Sequence, residues 1–189
     1  MTKLKSVIIP IFFLLFFCSG FVCFAQEEGG GANDLAAWDS TRITTQKAGM
    51  FVLGGWALLN FGLSGYFMTA TEGRPYFFNQ MNVFWNVVNA GIATAGLISA
   101  YRAAPLFTES EILAEYQKFT RVLLINAGLD VLYITAGIIL RLKGGEAKQQ
   151  GLRLEGYGSS LILQGGFLLV FDGVLAIINS IFAARPPVL

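Results

Sequence analysis

Two aspartates stand in stretches of sequence that are otherwise free of charge. Asp130 lies within NAGLDVLYITAGIIL and Asp172 within GGFLLVFDGVLAIIN. A carboxylate at the centre of a bilayer costs at least about 2.5–3.5 kcal/mol on insertion scales, and these stretches hold no Lys, Arg or His to neutralise it. Each carboxyl must therefore be protonated, hydrogen-bonded by Asn and Tyr, hydrated, or paired with a bound cation.

Amide side chains accompany the acids at helical spacing. Asparagines at 79, 82, 86 and 89 recur in steps of three and four, which places them on one helix face. Residues 126, 130 and 133 share a face in the same way, and so do Asp172 and Asn179. We predict an ion, proton or solute site at mid-depth, formed by Asp130, Asp172, Asn86, Asn89, Asn126, Asn60 and Tyr133.

A structural role is the alternative for each of these residues. Membrane helices are held together by close packing and interhelical hydrogen bonds, so Asn60 and Asn126 are interpreted most simply as clamps between helices. Asp130 and Asp172 are open to two interpretations, a functional site or protonated structural carboxyls. Gly54, Gly55, Gly62, Gly91, Gly128, Gly165, Gly166 and Gly173 are predicted to be close-packing positions.

The composition excludes several kinds of chemistry. The chain has no His, and Cys18 and Cys23 are its only cysteines. Haem or zinc sites that need His, thiol redox chemistry and disulfide frameworks therefore lack their residues, and we predict no cofactor and no metal site. The net charge of +1 gives no basic surface for nucleic acid.

The acids must be positioned by membrane-spanning helices. Hydrophobic residues make up 54% of the chain and charged residues 13%, and charge-poor stretches cover about 48–71, 75–101, 119–140 and 156–184. Each has the ~20 residues that a helical span requires. We predict an all-α fold, a four-helix transmembrane bundle over residues 48–184. Thr108 and Glu111 form a capping-box pattern, so the third helix is expected to begin outside the membrane.

The first 25 residues have the layout of a secretory signal. Lys3 and Lys5 precede an apolar core, and small residues lead to a cleavage position after Ala25. An uncleaved anchor is the alternative, because Ser6 to Ala25 is just long enough to span a bilayer. Residues 26–47 are predicted to be a polar periplasmic segment, and residues 185–189 a short tail.

Loop charges set the predicted orientation. The loop 141–155 carries the basic cluster Arg141, Lys143, Lys148 and Arg153, which the positive-inside rule places in the cytoplasm. We predict a multi-pass protein of the bacterial inner membrane, with both ends of the mature chain in the periplasm. The lipid bilayer is its predicted surrounding, and a protein partner or self-association is left open.

A repeat is predicted between the two halves of the chain. LLNFGLSGYFMTA at 58–70 aligns with LINAGLDVLYITA at 124–136, which pairs Asn60 with Asn126. Placing the second span on the fourth pairs Asn89 with Asp172. A duplicated two-helix hairpin would bring each pair to the same depth about an axis normal to the membrane.

Three segments together resemble an uncharacterised family of small bacterial four-helix integral membrane proteins. They are YFFNQMNVFWNVVNAGIA at 76–93, INAGLDVLYITAG at 125–137 and GYGSSLILQGGFLLVFD at 156–172. The resemblance covers nearly the whole mature chain and implies four spans. It implies no activity, because the family is a domain of unknown function.

Three functions remain open from the sequence. The first is a small transport or ion- and proton-translocating protein with its site at the membrane midplane. The second is a structural or accessory subunit of a membrane complex, whose polar residues only fasten helices. The third, an intramembrane enzyme, has two carboxylates for acid–base work but no nucleophile or metal cluster beside them.

Overall fold

The computed structural model describes residues 34–146 and 150–186. Within these ranges the chain forms four helices, α1 (Asp34–Ala70), α2 (Gly73–Tyr101), α3 (Glu109–Glu146) and α4 (Gly151–Ala183). Each is long and apolar enough to cross a membrane. The predicted all-α four-helix bundle is confirmed, while the predicted signal at 1–25 lies outside the described residues.

Two ends of the bundle differ in their connections. At the turn end, α1 passes to α2 through Thr71 and Glu72 alone, and α3 meets α4. Gly73 has φ 65°, a left-handed conformation that favours glycine in so short a turn. At the loop end lie the connection 102–108, the start of α1 and the end of α4. α1 and α3 run from the loop end, and α2 and α4 return to it.

Helices α1 and α3 extend beyond the apolar spans. With 37 and 38 residues, they measure about 55 Å at 1.5 Å per residue, against about 30 Å of hydrocarbon. α1 already begins at Asp34, so most of the predicted polar segment 26–47 is helical. α3 begins after Thr108 as predicted, where the Thr108 hydroxyl accepts the Glu111 N–H (3.3 Å) and donates to the Glu111 carboxylate (2.7 Å).

The projecting helices form a small core at the loop end. Trp38, Ile112 and Tyr116 are buried together, and Trp38 Nε1 donates to the carbonyl of Phe182 on α4 at 2.8 Å. The Tyr116 hydroxyl donates to the carbonyl of Trp38 at 3.2 Å. Burial raises the pKa of Tyr116 above its usual range, so the phenol stays a neutral donor. This core fixes α1, α3 and α4 relative to one another.

A buried ion pair ties the 102–108 connection to α1. The guanidinium of Arg42 contacts Asp39 Oδ1 at 2.7 Å and 2.8 Å through Nη2 and Nε. Asp39 Oδ2 accepts the backbone N–H of Leu106 at 3.2 Å. Both charged side chains are buried, and Asp39 holds the connection 102–108 against α1.

Helices α3 and α4 pack through a seam of glycines, defined here as Gly137, Gly144, Gly151, Gly158 and Gly165. These recur every seven residues within each helix, the repeat of a left-handed helix pair. A Cβ atom at Gly137 would lie 2.7 Å from the Gly158 carbonyl oxygen, so the backbones are in direct contact. Small residues permit this approach in membrane helices.

Several glycines that we predicted to pack closely face open space instead. A Cβ atom would meet nothing within 4 Å at Gly62, Gly91, Gly128, Gly166 or Gly173. Of the predicted set, Gly165 lies in the glycine seam, and Gly54 has only an ordinary contact with Ala93, at 3.6 Å. The prediction is therefore wrong for most of these positions, because it used residue type without the face that each residue presents.

The helix contacts give no support to the predicted hairpin repeat. Trp56 of α1 and Asp130 of α3 both meet α4 at residues 164–165. Asn60 lies one turn beyond Trp56 towards the turn end, whereas Asn126 lies one turn before Asp130 towards the loop end. No hydrogen bond among the described residues pairs Asn60 with Asn126, and the duplicated hairpin stays a prediction.

Candidate functional site

The two membrane aspartates face each other between α3 and α4. The Asp130 side chain lies within hydrogen-bonding reach of Asp172, and the two residues are 3% and 5% exposed. Asp130 Oδ2 is buried without a hydrogen-bond partner in the ranges that the structure describes. We call Asp130 and Asp172 the acid pair. The prediction that both carboxyls face the interior is confirmed by their burial.

The glycine seam explains why these carboxyls meet. A Cβ atom at Gly165 would lie 3.0 Å from the backbone carbonyl of Asp130, so α3 and α4 touch at this depth. An apolar cluster that includes Leu123, Leu168 and Phe171 surrounds the same stretch of the helices. The acid pair therefore occupies a low-dielectric position, where interactions between charges are stronger than in water.

A second polar group, which we call the amide cluster, joins α1, α2 and α4. Its members are Asn82, Asn86, Asn89, Ser160, Gln164 and Trp56. All are buried. Since all but one are polar side chains from facing helices, the cluster is an interhelical hydrogen-bond network of the kind that holds membrane bundles together.

Gln164 is the centre of the amide cluster. Its Nε2 donates to Asn82 Oδ1 at 3.0 Å, and its Oε1 accepts Trp56 Nε1 at 2.9 Å and Asn89 Nδ2 at 3.5 Å. Ser160 Oγ donates to the same Asn82 oxygen at 2.6 Å. These bonds use the main donors and acceptors of the cluster, and they link α1 and α2 to α4. Asn89 thus bonds to Gln164, which lies two helical turns before Asp172 on α4. The sequence alignment had paired Asn89 with Asp172.

The structure divides the predicted site. Asp130 and Asp172 come together, whereas Asn86 and Asn89 belong to the amide cluster. Asn60 donates to the carbonyl of Trp56 at 2.9 Å on its own helix, so the predicted interhelical clamp is wrong there.

Tyr133 and Asn126 belong to neither group. Tyr133 packs edge-on against Trp85 of α2, with ring centroids 4.6 Å apart. Trp85 Nε1 is another buried atom without a partner in the described ranges. Asn126 is half-buried.

The predicted site did not include three polar partners, Gln164, Ser160 and Trp56. A signal was present, since 160, 164, 172 and 179 recur at multiples of helical spacing and share a face of α4. Asn179 completes that face, where its amide donates to the Tyr116 carbonyl (2.9 Å) and to Thr120 Oγ1 (2.7 Å). Buried polar groups therefore occur at several depths along α4.

The donor set does not form a metal site of the usual kind. Among residues 34–146 and 150–186, no three His, Cys, Asp or Glu side chains lie close enough together to hold a metal ion.

Replacing Gln164 with leucine is expected to destabilise the protein by about 1–3 kcal/mol. The change removes the acceptor of the Trp56 and Asn89 N–H groups and one of the donors to Asn82 Oδ1, all inside a buried interface. Thermal unfolding in detergent measures the loss. Gln117→Leu is the matched control, because Gln117 is exposed on α3. Equal melting temperatures for the two variants would contradict the central place of Gln164.

Comparison with known proteins places the chain in a family without assigning it an activity. The model of DUF6992, a family of unknown function, matches residues 52–173, from the middle of α1 to just beyond Asp172. No curated protein and no solved structure matches the chain. The match covers more than half of the 189 residues and includes the acid pair and the amide cluster. The chain belongs to DUF6992.

Proposed function

We propose that this protein is a small ion-translocating membrane protein whose acid pair binds a proton or a cation within the bilayer. One observation carries the proposal. Asp130 and Asp172 meet in a buried interface, and Asp130 Oδ2 has no hydrogen-bond partner in the described ranges. A buried polar atom without a partner calls for an explanation, and a bound ion or proton supplies one.

The cost of the acid pair supports a functional role. Ionisable residues inside membranes are expensive, and they mark ion pathways and proton relays by default. A second carboxyl beside the first adds like-charge repulsion to the cost of burial. Helix packing alone needs neither, because the amide cluster already fastens α1, α2 and α4 with neutral groups.

The polar face of α4 supports a path for the ion. From Ser160 to Asn179 it extends about 28 Å at 1.5 Å per residue, close to the ~30 Å of hydrocarbon in a bilayer. Gln164 and Asp172 lie between these residues, and the face is buried against α2 and α3 rather than exposed. An ion that leaves the acid pair therefore has polar groups on α4 towards either end.

A structural or accessory subunit is the second candidate. The observation in its favour is the amide cluster, whose side chains are buried and hydrogen-bonded to one another. In this alternative the acid pair is a hydrogen bond between helices, and the loops contact a partner protein. Co-purification of a protein at fixed stoichiometry would favour this candidate.

Ion flux into proteoliposomes tests the proposal. We expect the purified protein to acidify or charge the vesicle interior under an imposed potential, and Asp172→Asn to reduce the flux to that of empty vesicles. Glu115→Gln is the control, because Glu115 pairs with Lys118 at 3.1 Å on the projecting part of α3. If wild-type and empty vesicles gave the same flux for protons and for alkali cations, the proposal would be wrong.

We also propose that the turn end faces the cytoplasm of a bacterial inner membrane and the loop end the periplasm, after cleavage of the signal. Arg141, Lys143 and Arg153 lie near the turn end, as the positive-inside rule requires. Glu109 and Glu111 begin α3 at the loop end.

Cysteine labelling tests this orientation. In a background without Cys18 and Cys23, we expect Ser110→Cys to react with a membrane-impermeant maleimide on cells with a permeable outer membrane. Gly145→Cys should react only after lysis, since it is exposed at the turn end and a Cβ atom there meets nothing within 4 Å. The reverse pattern would overturn the orientation.

A further inference from the structure

We infer that the acid pair binds one proton, shared between Asp130 and Asp172, and that it does not bind a metal cation. The inference rests on the proposed function and names the ligand of the same site. Its geometric basis is the direct approach of two carboxyl groups. Two ionised carboxylates are acceptors only, so a hydrogen bond forms between them when one carries a proton.

A metal cation finds too few oxygens at this position. Hard cations such as Ca²⁺ and Mg²⁺ take about six or more oxygen ligands, and a K⁺ filter replaces the whole hydration shell with carbonyl oxygens. The acid pair offers at most the four oxygens of its two carboxyls. Two amide oxygens of the amide cluster are already committed, since Gln164 Oε1 accepts from Trp56 and Asn82 Oδ1 accepts from Ser160.

Within residues 34–146 and 150–186, no Lys or Arg side chain forms a salt bridge with either carboxyl of the acid pair. Asp130 of α3 is the charged group that acts on Asp172. On α1 the charge nearest this depth is Lys47, which lies 4.2 Å from the ring centroid of Tyr101 on α2. Arg74 of α2 pairs with a carboxylate at the turn end. Tyr133 of α3 packs against the indole of Trp85. Without a neighbouring cation, a proton is what reduces the repulsion.

The proton balance of the site follows from this arrangement. Holding one proton, the pair has one carboxylic acid, one carboxylate and a net charge of −1, with the proton in a short charge-assisted hydrogen bond. A second proton gives two neutral acids. Loss of the last proton leaves two facing anions, which is the least favourable state in a dry interface. The site therefore takes up and releases protons singly.

Infrared difference spectroscopy on the full-length protein in lipid nanodiscs tests the inference. We expect a carboxylic acid C=O band at neutral pH that shifts on H/D exchange, persists when Na⁺, K⁺ or Ca²⁺ is added, and is lost in Asp172→Asn. Glu115→Gln is the control and should retain the band. Asp130→Asn should also lose or shift it, which distinguishes a shared proton from one held by Asp172 alone.

The outcomes separate this inference from the proposed function. A band that disappears when one of the added cations binds would overturn the inference and leave an ion-translocating role standing, with a metal cation as the ligand. The absence of a protonated carboxyl without any effect of Na⁺, K⁺ or Ca²⁺ would overturn both. A band that is unaffected by the cations and removed by both Asp variants supports a proton as the ligand, whatever the flux assay gives.

Discussion

Replacing Gly158 with leucine is expected to separate α3 from α4 and to prevent the protein from accumulating in a folded state. Even a Cβ atom at this position would lie 2.5 Å from the Gly137 carbonyl oxygen and 2.9 Å from the Arg141 nitrogen. Both are backbone atoms, so no side chain can move aside. Overpacking a well-packed interface costs about 1–3 kcal/mol and occasionally more, and we expect the upper end because the obstacle is a whole helix.

The effect is measured by size-exclusion profile and melting temperature in detergent. Gly166→Leu is the matched control, on the same helix, because a Cβ atom there meets nothing within 4 Å. It should change stability by no more than about 0.5 kcal/mol, as surface substitutions usually do. Gly158→Ala should already cause a measurable loss. If Gly158→Leu and Gly166→Leu had the same melting temperature, the close contact of α3 and α4 would be refuted.

The spans could be predicted from the sequence because few backbone structures are stable in lipid. A backbone in hydrocarbon must satisfy its hydrogen bonds within a helix, so a long stretch without charge indicates both environment and structure. The early start of α1 was less visible, since residues 34–47 are polar overall. Their helical signal lies in Trp38, Arg42, Thr45 and Gly49, which follow helical spacing and are all buried.

The register between helices could not be predicted from apolar composition. The alignment of the two halves paired Asn60 with Asn126, but Asn60 bonds to the Trp56 carbonyl of its own helix, and the structure gives this pairing no support. The glycines at 137, 144, 151, 158 and 165 carry the register instead, because backbone contact is possible only where small residues oppose one another. Their spacing of seven is present in the sequence, but which of the many glycines oppose one another depends on how two helices face.

The burial of the two aspartates could be predicted from the sequence, but which site residues contact one another could not. Mid-span carboxyls must avoid lipid, so the interior position of Asp130 and Asp172 follows from their type alone. Their mutual contact depends on the depth at which α3 meets α4, which the glycine seam determines. The stripe on α2 was recognised from its spacing, whereas its partner Gln164 was missed because one glutamine among apolar residues looks unremarkable in sequence.

Removing both carboxyls with Asp130→Asn and Asp172→Asn is expected to abolish the dependence of stability on pH around neutrality. In the wild type the folded acid pair keeps a proton that the aspartates of the unfolded chain have released, so unfolding releases a proton. The free energy of unfolding then falls as pH rises, by about 1.4 kcal/mol per pH unit for one proton. The amide variant titrates at neither position, so its unfolding free energy should stay flat.

Unfolding in mixed detergent, followed by circular dichroism from mildly acidic to mildly alkaline pH, measures this slope. Glu115→Gln should keep the wild-type slope, because Glu115 lies at the partly exposed surface with Lys118. Asp172→Asn alone should also remove most of it, since the new amide can donate to the remaining Asp130 carboxylate without a shared proton. A double variant that kept the full wild-type slope would mean that other groups titrate and that the acid pair holds no proton at neutral pH.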